Sequence, residues 1–128
     1  KVYNELWKAL SELKFKGNDI WGELNQTNLS DFSQSLKYTK ESLEINGIIL
    51  KDDDYNNLNE ILQIFANFQV GKTRLMEFRK HLTDSGFDIE AWNTQIEENR
   101  KYKTKYEKLL IDLRKKFQQK RRPRQASG

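Results

Sequence analysis

Apolar residues recur along this chain at helical intervals, in four blocks separated by polar clusters. In the first block Tyr3, Trp7, Leu10, Gly17, Trp21 and Leu24 fall on one face, with Leu6, Leu13 and Ile20 beside them. That period places a single apolar stripe on a helix and predicts one from about Val2 to Asn25. Gly17 weakens the pattern by about 1 kcal/mol relative to alanine and marks either a close packing contact or a kink. The polar run Asn25 to Asn28 is a turn, in which Thr27 or Asn28 is expected to cap the next helix.

The second block carries Leu29, Phe32, Leu36 and Leu43, with Tyr38 and Ile45 as further core candidates. Asn46-Gly47 is expected to end it, because glycine tolerates the left-handed conformation after a helix. Ile48 to Leu50 then reads as an apolar connector tucked under the bundle. A third helix begins near Asp52 and buries Tyr55, Leu58, Ile61, Leu62, Phe65 and Phe68. Its pattern continues through Leu75, Phe78 and Leu82 to about Ser85, with a break at Gly71 as the alternative; Ser85-Gly86 is a stop.

The last helix starts near Asp88. Its stripe is Ile89, Trp92, Ile96, Asn99, Lys103, Tyr106, Leu110, Leu113 and Phe117, spaced three and four apart, with two polar positions at its centre. If it reaches Arg121 it is about 50 Å long, against about 25–40 Å for the first two helices, so its end is expected to project beyond the bundle. The fold expected is therefore all-α: an antiparallel bundle of about four helices over residues 1–121, followed by a flexible basic tail at 122–128.

Composition narrows this further. The chain has 128 residues, 33% of them charged, and a mean hydropathy of −0.93, yet 12% are aromatic, which argues for a real core rather than disorder. It contains no cysteine, which removes disulfides, thiolate chemistry and cysteine-based zinc sites. Its one proline is Pro123, so nothing before it interrupts long helices. No apolar run approaches the ~18 residues of a membrane span, and no signal peptide is visible. The chain opens on Lys1 rather than methionine and is read as a piece of something longer.

Three local patterns suggest chemistry. Ala66 to Thr73, "ANFQVGKT", fits the loose form of a phosphate-binding loop. Such a loop needs a strand before it, and its free N–H groups cradle the phosphates. Here a helical pattern runs through it, which leaves no free N–H groups and places Lys72 and Thr73 on an exposed helix face. Asp52, Asp54 and Asn56 occupy the first, third and fifth places of a calcium loop, but Asn57 replaces the turn glycine and Gln63 the final glutamate. Capping by Asp52 or Asp53, with three carboxylates complementing the helix dipole, is the expectation instead. His81 is the only histidine, one turn after Glu77, and reads as half of a surface pair. No catalytic residue, metal ligand set or cofactor is expected.

Charge is the stronger signal. Residues 100–124 hold twelve Lys/Arg and two acids, a net of +10, while residues 1–99 hold eleven Lys/Arg and seventeen acids, a net of −6. A basic helix on an acidic body suits nucleic acid, an anionic membrane surface or the acidic part of a protein partner. The candidate residues are Lys101, Lys103, Lys105, Lys108, Arg114, Lys115, Lys116, Lys120, Arg121, Arg122 and Arg124. Tyr102, Tyr106 and Phe117 interleave them, at a spacing that fits core better than base stacking. The kinase-site pattern at Arg122 to Ser127 and the import-like "KRRPR" are patterns that any basic tail contains.

"VYNELWKALSELKFKGNDIW" followed by "FANFQVGKTRLMEFR" resembles a helical domain of uncharacterised bacterial proteins that often carry a membrane helix and coiled coil upstream. The resemblance covers about residues 2–80, lies in packing positions, and implies no activity and no site residues. In that family the glycine-lysine segment looks helical. The function expected is a non-catalytic protein-interaction or scaffolding module in the cytoplasm, as the soluble part of a tethered protein. A nucleic-acid-binding accessory protein is the alternative. Self-association through the last helix is a further expectation, with Asn99 and Lys103 setting its register.

Overall fold

A computed structural model describes residues 1–121. It shows four α-helices: α1 (Val2–Gly22), α2 (Gln26–Asn46), α3 (Asp52–Arg79) and α4 (Ile89–Arg121), with a 3₁₀ turn at Gly47–Ile49. Successive helices run antiparallel. Gln69 on α3 donates to Ser33 on α2 while Tyr55 donates to Glu44, and Gly71 meets Asn99 while Phe65 stacks on Tyr106. The expected all-α bundle is present, and α3 passes Gly71 without a break.

The core follows the apolar stripes. Leu6, Leu10, Leu13 and Ile20 of α1 face Phe32, Leu36 and Leu43 of α2 and Leu58, Phe65 and Phe68 of α3, closed by Tyr106, Leu110, Leu113 and Phe117 of α4. Trp7 and Trp21 sit at the flank of this core, half-buried, because Leu10 and Leu13 hold the centre of the α1 stripe. A second aromatic group, Phe78, Phe87 and Trp92, packs edge to face where α3 turns into α4.

Several local expectations are corrected. Asn25, not Thr27 or Asn28, caps α2: its side chain accepts from the Asn28 backbone N–H at 2.8 Å. Neither Asp52 nor Asp53 caps α3, whose N-cap is Lys51 with no side-chain bond. Gly47 is right-handed (φ −58°), so α2 passes into the 3₁₀ turn instead of stopping at a left-handed glycine. Ile48 and Ile49 are exposed, not tucked under, and only Leu50 is buried. Tyr38, Ile45, Leu82 and Ile89 are also exposed. Helix α3 ends at Arg79, and the left-handed residue of the following turns is Gly86 (φ 86°). Up to Phe117, α4 stays in the core beside Tyr3 and Trp7. The first turns of α4 pack on the end of α3, with Trp92 edge-on to Phe78.

Gly17 is a packing contact, not a kink. An added Cβ would lie 2.9 Å from the Tyr106 hydroxyl. That hydroxyl is fully enclosed and has no hydrogen-bond partner among the described residues, and burial drives its pKa well above the usual phenol value. A buried unpartnered hydroxyl is destabilising. Tyr106→Phe is therefore expected to raise stability by about 1 kcal/mol in urea unfolding. In that background Gly17→Ala should also stabilise, because the obstructing atom is gone and alanine is the better helix former. Strictly additive effects across the four chains of the cycle would show the two positions to be uncoupled.

Candidate functional site

The glycine-lysine segment lies inside α3, so its N–H groups bond to carbonyls of the same helix. Helix α4 packs directly on Gly71: Asn99 and Gln95 fill the space a Cβ would take. Lys72 is not on an exposed face. It is only 6% exposed, with its Nζ 4.3 Å from the Trp21 ring centroid and 5.6 Å from that of Phe68. Burial without an ion pair among the described residues lowers its pKa to about 8. Thr73 is exposed, as expected, and its hydroxyl donates to the Gln69 carbonyl.

The aspartate cluster has a packing role. Asp54 is fully buried, accepts from the Tyr3 hydroxyl at 2.7 Å and pairs with Lys116 at 3.3 Å, tying α3 to α1 and α4. His81 lies 2.7 Å from Asp84 rather than pairing with Glu77, which bonds Lys80. All four are exposed side chains at a helix end, where such pairs contribute little.

The basic set divides. Lys101, Lys105, Lys108 and Lys115 are exposed and recur at intervals that place them on one side of α4, interrupted by the exposed Asp112. Lys103 is turned to Glu107 at 3.0 Å, and Lys116 to Asp54. Arg114 faces α1. The side chains of Lys120 and Arg121, and Arg122 and Arg124 with the rest of 122–128, lie outside the described residues. Tyr106 and Phe117 belong to the core, as their spacing implies.

The structure exposes a site that the stripes do not mark. Helices α1 and α4 meet at two points, Tyr3 and Trp7 against Phe117, and Gly17 against Tyr106. Between these points lies a cleft of ≈380 Å³ lined by Trp7, Ser11, Lys14, Phe15, Leu110, Ile111 and Arg114. Its continuation past Arg114 is bounded by Tyr3 and Phe117. Phe15 is 64% exposed and Ile111 50% exposed. The two smaller clefts between α3 and α4, of ≈190 and ≈230 Å³, have Glu60 and Asp112, or Glu98, in their walls. The α1–α4 groove has no carboxylate in its lining, only the cations Lys14 and Arg114. The sequence signal was available: Phe15 lies about 200° around the helix from Leu13, an apolar residue off the core stripe.

Chemically, the groove offers apolar surface framed by the positive charges of Lys14 and Arg114. Groups of acidic and histidine side chains that could hold a metal ion are absent among the described residues. Comparison with protein-family models, curated proteins and solved structures finds no match.

Proposed function

We propose that this chain is a non-catalytic helical interaction module that docks apolar side chains of a protein partner in the groove between α1 and α4. The observation that carries the reading is the uncovered apolar lining of that groove. Exposed contiguous apolar surface with a charged rim is characteristic of docking sites. Lys14 and Arg114 favour an acidic flank on the partner, and the lysine row of α4 extends the attraction outward. The setting proposed is the cytoplasmic part of a tethered protein. No described helix is long and apolar enough to cross a membrane.

The test compares the wild-type chain with Phe15→Glu/Ile111→Glu as immobilised baits. Both positions are exposed, so the bundle tolerates the change. A protein retained by the wild type, resistant to raised salt and lost from the double variant is the expected result. Identical retention by both baits would remove the groove as the docking site.

A second reading rests on the exposed row Lys101, Lys105, Lys108 and Lys115, whose regular placement suits a phosphate backbone. Binding of RNA and DNA fragments at low and physiological salt decides it. The comparison chain carries glutamine at those four positions. Truncation after Lys108 would instead strip Leu110, Leu113 and Phe117 from the core. Under the docking reading both chains bind nucleic acid weakly or not at all. Tight binding that falls steeply with salt and is lost in the glutamine chain would make nucleic acid the primary ligand.

A further inference from the structure

We propose that the groove's occupant is the α2–α3 corner of a second copy of this chain, so that copies join head to tail. The inference rests on the docking reading above and names its partner. The corner is another exposed apolar feature among the described residues, and the one with three isoleucines within five positions. Ile45 is 76% exposed, Ile48 93% and Ile49 64%. Three adjacent isoleucines left in water are a stronger signal than scattered exposed leucines.

The corner is preorganised. Leu50 is buried and its N–H closes the 3₁₀ turn on the Gly47 carbonyl at 3.2 Å. The Tyr55 ring lies against Gly47, and its hydroxyl donates to Glu44 at 2.7 Å. A held turn loses little conformational freedom on docking, which favours binding. Charge also matches. Residues 41–53 carry four carboxylates, Glu41, Glu44, Asp52 and Asp53, against Lys51 alone, a net of −3, and all four are exposed. The groove presents Lys14 and Arg114 with no acid in its walls. An apolar knob with an acidic surround thus meets an apolar cleft with a basic rim.

Groove and corner are different surfaces of one molecule, built from different helix pairs. The contact is therefore heterologous: each copy uses its groove on one neighbour and its corner on another. The alternative, a coiled coil through α4, is disfavoured because Asn99, Tyr106, Leu110, Leu113 and Phe117 of its stripe are buried inside the bundle.

Sedimentation across a range of concentrations tests this with three chains: wild type, a groove variant (Phe15→Glu/Ile111→Glu) and a corner variant (Ile48→Glu/Ile49→Glu). All four substituted side chains are exposed, and circular dichroism checks that each chain keeps its helices. Wild-type mass should rise with concentration from 15.3 kDa toward and past twice that value. Each variant alone should stay near one chain, or stop there when concentrated. An equimolar mixture should form a dimer and nothing larger, because only one groove and one corner remain intact. A wild type that stays monomeric overturns the second-copy proposal but not groove docking, which the bait comparison judges separately. Wild-type association that both variants retain, or a mixture that stays monomeric, overturns the head-to-tail contact.

Discussion

Gly71→Ala is expected to destabilise the bundle by about 3 kcal/mol, although alanine is the better helix former by about 1 kcal/mol. The added methyl would overlap the Asn99 side chain and approach Gln95 Nε2 to 2.7 Å. Asn99 is fully buried and Gln95 nearly so, and the two are bonded to each other at 3.2 Å, so neither swings freely into solvent. Relief would require α4 to move away from α3, opening the contact of Phe65 with Tyr106 above it. For a domain of this size the change corresponds to a fall in Tm of roughly 10 °C. Gly22→Ala is the control, since nothing lies within 4 Å of the Cβ it would add. Urea unfolding of both chains checks the expectation, and equal stability would defeat it. Shortening the obstacle, with Asn99→Ala in the Gly71→Ala chain, should recover part of the loss. The glycine that makes this stretch look like a phosphate loop is thus explained by helix packing.

Helix type and number were legible because apolar spacing carries them: Leu6, Leu10 and Leu13, or Leu58, Phe65 and Phe68, mark a buried face on their own. Ends and connectors were less so. Asn25 and Asn28 are equally good caps by residue type, and only the path of the chain decides which side chain meets a free N–H group. Gly47 carries a stop signal in composition, yet its backbone stays right-handed, and its missing side chain leaves room for the Tyr55 ring. Lys72 misled most. Its neighbours in sequence give no reason for burial; the reason is Trp21, supplied by α1 fifty-one residues earlier. The groove was hidden similarly. Phe15 and Ile111 each look like a stray apolar residue on a polar face, and only the meeting of α1 and α4 turns two strays into one surface. The charge asymmetry is plain in the sequence as a total, but the pairing is not: Lys103 has its partner one turn on at Glu107, and Lys116 finds Asp54 across on α3.

Lys72→Met is expected to stabilise the fold by about 1–2 kcal/mol at pH 7. A lysine whose pKa is held at about 8 in the folded chain, against 10.5 when exposed, resists folding while it is charged. Each unit of that difference corresponds to about 1.4 kcal/mol, so desolvation of the charged amine opposes folding by at most about 3 kcal/mol. Its position over the Trp21 ring offsets about 1–2 kcal/mol, an attraction that methionine forgoes while keeping most of the hydrophobic contact. The sign with pH follows from the lowered pKa. Below about pH 8 both states hold the proton and the full penalty applies. Between pH 8 and 10.5 the unfolded chain binds more protons than the folded one, so wild-type stability rises with pH. The Tyr106 and Tyr55 phenols, both shifted up from 10.0, act in the opposite sense only above pH 10, which leaves pH 8–10 as the diagnostic window. Urea unfolding at pH 7 and pH 10 should show the wild type gaining about 1 kcal/mol relative to Lys72→Met. Parallel curves for the two chains would mean that the amine is as well hydrated in the folded state as in the unfolded one. In that case Lys72→Met would bring no stabilisation at pH 7 either, and the cation over Trp21 would be a net contributor to the bundle.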